Sequence, residues 1–193
     1  MAGSPGFEIS VHAVAALVGA TEITVAGYEA SAVRQALRAF GLRLTGAPPG
    51  RWWAVEANIG GESLAGPTVH GRGDETRREV VEVSGPLLRG DVGLRARVGT
   101  PWSLTASAGI GLLVHLRDIE HTAEDPFDEG TPQDDEPTRD MPFGGVLALG
   151  LGLQYQARNV LLGLDFQVRQ GVPADYRSVE AVLSVGCFLN LGE

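Results

Sequence analysis

The chain has 193 residues, enough for one domain with a sizeable core, and its 27 glycines and 11 prolines suit a turn-rich all-β protein. Hydrophobic residues make up 44%, yet no run of about 18 apolar residues exists, which excludes a transmembrane helix. The net charge of −9 argues against a nucleic-acid partner, and the single cysteine, Cys187, excludes an internal disulfide and a cysteine-based metal cluster.

Eight segments alternate with period two, the signature of strands whose successive side chains point to opposite faces. The first, 7–17, sets Phe7, Ile9, Val11, Ala13 and Ala15 against Glu8, Ser10 and His12. The second, 37–45, sets Phe40, Leu42 and Leu44 against Gly41 and Arg43. The third begins at Trp52 and sets Trp53, Val55, Ala57 and Ile59 against Glu56 and Asn58. The fourth ends at Val98, with Leu88, Val92, Leu94 and Ala96 opposite Arg89, Asp91, Arg95 and Arg97. The fifth sets Leu104, Ala106, Ala108, Ile110 and Leu112 against Thr105, Ser107, Gly109, His115 and Arg117. The sixth, 146–155, is the clearest: Leu147, Leu149, Leu151, Leu153 and Tyr155 face one way, and Ala148, Gly150, Gly152 and Gln154 the other. The seventh sets Val160, Leu162, Leu164, Phe166 and Val168 against Gly163, Asp165, Gln167 and Arg169. The eighth sets Val179, Ala181, Leu183, Val185 and Leu189 against Ser178, Glu180, Ser184 and Gly186. Cys187 is expected there as a small packing residue.

One face of every segment is greasy and the other small or polar. That inverts a soluble barrel and fits strands with lipid outside and a polar, packed lumen inside. The connections alternate too. Residues 47–50, 100–101 and 157–159 read as tight turns, whereas 18–36, 60–85 and 118–140 read as long loops. Within 28–40, Val33, Leu37 and Phe40 fall at helical spacing, so helix and strand both stand open there. Trp52, Trp53, Trp102 and Tyr155 lie beside the tight turns, where an aromatic girdle at one membrane interface belongs. Residues 1–6 show no secretory signal. Under the barrel reading it has been removed, leaving a flexible lead to a single domain over 1–193.

On these features the chain resembles the small eight-stranded outer-membrane β-barrels of the OmpX/OmpA transmembrane-domain type, most strongly over 144–191. The resemblance implies an eight-stranded antiparallel up-and-down transmembrane barrel with short periplasmic turns and long extracellular loops, in the outer membrane of a Gram-negative cell. Such barrels end their last strand on an aromatic residue, and the nearest match here is Phe188.

The inward faces collect the acids Glu8, Glu56, Asp91, Asp165 and Glu180 and the bases Arg43, Arg89, Arg95, Arg97, Arg117 and Arg169. With His12 and His115 they are expected to form a paired, hydrogen-bonded lumen, since buried charges are costly unless paired. His70 and His121 fall in loops. The expectation is that no serine stands two residues from a histidine along a strand, so that no nucleophile–base pair exists. Ten acids against one base, Arg139, lie between Asp118 and Asp140 and account for the whole net charge. Their spacing matches no EF-hand, and a solvated loop is expected rather than a calcium site. Arg72-Gly73-Asp74 resembles an adhesion tripeptide but reads as a loop turn, and a second copy, Arg89-Gly90-Asp91, falls in a strand.

The expected function is therefore structural or interactive, with no catalytic residues, no metal and no cofactor. The expected partners are outer-membrane lipids and lipopolysaccharide together with an envelope protein. The competing readings are a lipid A-modifying barrel enzyme and a soluble lipocalin-like carrier.

Overall fold

The structure is a computed structural model that describes residues 8–25, 28–34, 39–48, 50–64, 68–70, 78–124, 133–134, 138–172 and 176–189. In chain order the strands are β1 (Glu8–Val25), β2 (Tyr28–Arg34), β3 (Ala39–Ala47), β4 (Trp53–Leu64), β5 (Thr68–His70), β6 (Arg78–Val98) and β7 (Trp102–His115). They continue with β8 (Arg117–Glu124), β9 (Gln133–Asp134), β10 (Thr138–Asp140), β11 (Phe143–Ala157), β12 (Val160–Val172) and β13 (Tyr176–Leu189).

Eight of these form a closed antiparallel ring in the order β1-β3-β4-β6-β7-β11-β12-β13. The ring shuts where β1 pairs β13, from Ile9 opposite Leu189 to Ile23 opposite Tyr176. Each wall strand otherwise pairs with its next wall neighbour, which is the up-and-down meander of a small barrel. Closure removes the free edges that an open sheet of this size would expose.

The tight turns are dictated locally. The Arg51 N–H donates to the Pro48 carbonyl at 3.2 Å, and Gly50 has φ 66°, a left-handed value that glycine adopts without steric cost. Arg158, with φ 51°, lies in the two-residue link between β11 and β12.

The alternation of the sequence becomes an inside and an outside. Leu104 is 70% exposed and Leu151 68%, whereas Asp165 is 2% exposed and Glu180 1%. Polar residues are buried and apolar ones exposed, the reverse of a water-soluble barrel and of the lipocalin-like reading. The 13 residues of β12, at about 3.3 Å each and tilted by about 40°, rise about 33 Å, enough to cross the hydrocarbon of a bilayer.

Several expectations are corrected. Residues 28–34 form a strand hydrogen-bonded to β1, so no helix starts at Tyr28; residues 35–38 lie outside the described residues. The stretches read as long loops are largely strands that run on past the wall: β6 pairs β7 over its second half but β8 over Arg78–Ser84. His70 and His121 accordingly lie in β5 and β8 rather than in loops. Period two did not stop where polar residues multiplied, which is why these stretches looked irregular. A register shift between Ala16 and Val18 in β1 resets the parity, so that Gly19 and Thr21 turn inward beyond it. Cys187 is exposed on the outer face rather than packed, because odd residues of β13 face outward. The tripeptide Arg72-Gly73-Asp74 lies outside the described residues, and its second copy lies in β6.

Candidate functional site: the charged lumen

Two tiers of ion pairs cross the lumen. In the tier nearer the tight turns, Asp165 on β12 accepts from Arg43 on β3 and from Arg95 on β6, each at 2.6 Å. Thr105 adds a hydroxyl contact to Asp165 at 3.2 Å and accepts from Arg95 at 3.0 Å. Glu56 on β4 completes the tier, 3.3 Å from Arg95 and 3.8 Å from Arg43. Arg43 also donates to Asn58 at 3.1 Å, and the Asn58 amide donates to Asp91 at 2.8 Å.

In the second tier Arg89 on β6 grips Glu180 on β13 with both terminal nitrogens, 2.9 Å each. This fork-to-fork geometry is the strong form of the contact. The two strands stand four apart in a ring of eight, the widest separation the barrel offers. Arg169 donates to Glu180 at 2.8 Å and to the Gln167 side-chain amide oxygen Oε1, and Glu62 lies 3.3 Å from Arg89. Tyr176 donates to Ser178 at 3.0 Å.

Each tier sets two guanidiniums against two carboxylates. Isolated burial of any one of these groups would cost several kcal/mol, roughly, and mutual pairing offsets it. Between the tiers a cavity of about 30 Å³ touches Arg43, Asn58, Arg89, Asp91, Gln167 and Arg169. That is room for about one or two waters, not for a ligand. Glycine makes space for the groups: a Cβ on Gly152 would stand 2.1 Å from Asp165 Oδ1, and one on Gly186 would stand 2.5 Å from the His12 ring.

The predicted residues divide accordingly. Arg43, Glu56, Asp91, Arg95 and Asp165 meet in or beside the first tier, and Arg89, Arg169 and Glu180 in the second. His12 and His115 are buried in the lumen. Glu8 does not join the network: it is exposed, because it opens β1 at the mouth. Arg97 is half-buried at the same mouth and makes no ion pair among the described residues. Arg117 opens β8, and its side chain lies outside what is described. At the rim, Trp102 and Tyr155 face each other across β7 and β11 with ring centroids 4.6 Å apart, Trp52 is exposed and Trp53 half-buried.

Two features escaped the sequence reading. Glu62 is a buried member of the second tier, and its signal was the even-numbered run Glu56, Asn58, Gly60, Glu62 on one face of β4. The expectation of no serine beside a histidine is also wrong. Ser10 and His12 share the inner face of β1, and Ser10 Oγ lies 2.9 Å from His12 Nε2. Ser10 also bonds the Thr45 hydroxyl, and His12 Nδ1 has no partner, so no carboxylate orients the ring as a triad requires. Among the described residues no group of three histidine, cysteine or acidic side chains is placed to hold a metal ion.

The fold and the lumen define a small closed β-barrel of the outer-membrane type. No protein-family model matches the chain, and no curated protein does. Among solved structures it is similar to Ail, the attachment invasion locus protein of Yersinia pestis, solved in complex with the heparin analogue sucrose octasulfate. The identity is 14%, covering 94% of this chain and 99% of that one, with a TM-score of 0.50. It is similar also to the outer membrane protease OmpT of Escherichia coli, at 7% identity over 96% of this chain and 98% of that one, with a TM-score of 0.51. At such identities the likeness is one of fold, and the fold is the eight-stranded antiparallel outer-membrane β-barrel.

Proposed function

We propose that the chain is a non-enzymatic outer-membrane barrel that acts through the strands it carries past its wall. The observation behind this reading is the division of labour within single strands. The 21-residue β6 pairs β7 inside the wall and then β5 and β8 beyond it. Among the described residues, β10 stands at the end of the strand order and pairs only β8, so it carries a backbone edge that a partner's strand can join. The lumen supports the same reading, since its charges are committed to one another. Outer-membrane lipids and lipopolysaccharide then surround the apolar wall, and an envelope or external protein meets the strand extension.

The test is topological and chemical together. In intact Gram-negative cells carrying the chain with Cys187→Ala, a membrane-impermeant maleimide should label Arg139→Cys, on the extension, and spare Arg158→Cys, in a tight turn. The mass of the cells' lipid A should not change. Labelling of the turn alone would place the extension on the wrong side, and a lipid A mass shift would replace the reading with the lipid-modifying enzyme.

A further inference from the structure

The mouth of the lumen at the tight-turn end holds a cavity of about 40 Å³ whose polar lining includes Glu8, Ser10, His12, Thr45, Arg51 and Arg97. Trp52 and Trp53 line it as well. Arg43 and Arg95 reach it from within but are held by Asp165 and Glu56. Arg97 and Arg51 are different: among the described residues neither has an ion-pair partner, and Arg97 is half-buried. A guanidinium drawn partly out of water without a counter-charge is the costly arrangement that the two tiers avoid. Glu8 is the only carboxylate in this lining and it is exposed, so the mouth carries an excess of positive charge.

The hydroxyls are oriented to add to that charge. His12 Nδ1 is buried with no partner, and a lone pair left bare there costs less than a bare N–H. The proton therefore sits on Nε2, which donates to Ser10. Ser10 then donates to Thr45, and the Thr45 hydroxyl is left with a proton to give. Arginine forks and a hydroxyl donor lining an open mouth suit the oxygens of one tetrahedral oxyanion.

We propose that the turn-end mouth of the barrel is a phosphate-binding site, with Arg97 and Arg51 as charge partners and Thr45 as the neutral donor. The phosphate is either free or the headgroup of an anionic phospholipid, for which the flanking Trp52 and Trp53 would supply the interface.

The test uses the full chain refolded in detergent micelles. Inorganic phosphate is titrated against sodium chloride at matched ionic strength, read by tryptophan fluorescence. In parallel, native mass spectrometry reads retention of phosphatidylglycerol against phosphatidylcholine. A saturable phosphate response that weakens at least about tenfold in Arg97→Gln, the worth of one charge-assisted contact, assigns a free-phosphate site. No response to phosphate, with phosphatidylglycerol retained by the wild type and lost by Arg97→Gln, assigns the headgroup. Glu8→Gln should tighten either ligand. Unboiled gel mobility equal to wild type shows that Arg97→Gln is folded, and Arg97→Lys should retain part of the binding. Absence of both ligands, or binding indifferent to Arg97→Gln, overturns the proposal.

Discussion

Asp165→Asn is the sharpest test of the lumen. The side chain keeps its shape and loses its charge. In the native barrel its carboxylate takes a 2.6 Å bond from each of Arg43 and Arg95, whose side chains are only 2% and 7% exposed. After the change, Glu56 is the one carboxylate left for both guanidiniums, at 3.8 and 3.3 Å. Breaking a buried pair costs about 3–5 kcal/mol, and the surviving Glu56 contacts place this case near the lower end, about 3 kcal/mol. That is more than a hundredfold in the folding equilibrium. The assay is reversible urea unfolding of the barrel in lipid vesicles, followed by tryptophan fluorescence. The midpoint should fall with the slope unchanged. A loss below about 1 kcal/mol, the value of an exposed pair, would refute the reasoning, because it would mean that water screens these charges.

The same assay checks three further changes. Gly152→Ala should cost about 1–3 kcal/mol, because its Cβ would stand 2.1 Å from Asp165 Oδ1, and the loss should not add to that of Asp165→Asn. Leu149→Arg, 63% exposed near the middle of β11, should cost about 2–4 kcal/mol in vesicles, whereas a barrel in water would tolerate it. Trp102→Ala should cost about 1 kcal/mol by losing its contact with Tyr155, and it should be no more damaging in Tyr155→Ala than the second change alone.

Which residues face the lumen was legible in the sequence, because parity along a strand decides it. Arg43, Arg95, Asp165, Arg169 and Glu180 were all found that way. Three kinds of information were not legible. Strand ends were misplaced: stopping the third segment at Ile59 hid Glu62, and treating the first residue of β1 as interior overrated Glu8. Same-strand neighbours were overlooked, and Ser10 beside His12 is the result. Partners across the lumen depend on how far each strand is staggered against the next, and no single strand carries that. Nothing in β6 alone says that Arg89 meets Glu180 on the opposite wall while Arg95, six residues on, meets Asp165.

That dependence also makes the lumen a network rather than a set of pairs, and a charge swap shows the difference. An isolated pair survives reversal. Here Glu180 serves both Arg89 and Arg169, and Arg89 lies between Glu180 and Glu62. In the double variant Arg89→Glu with Glu180→Arg, the new guanidinium at position 180 would face Arg169, across a contact that is 2.8 Å in the native barrel. The new carboxylate at position 89 would face Glu62, across 3.3 Å. Two like-charge contacts would replace two attractive ones among side chains that are at most 10% exposed. The swap should therefore be no more stable than either single change in vesicle unfolding. Recovery to within about 1 kcal/mol of the wild type would show instead that the tier holds one dominant pair and that Arg169 and Glu62 are bystanders.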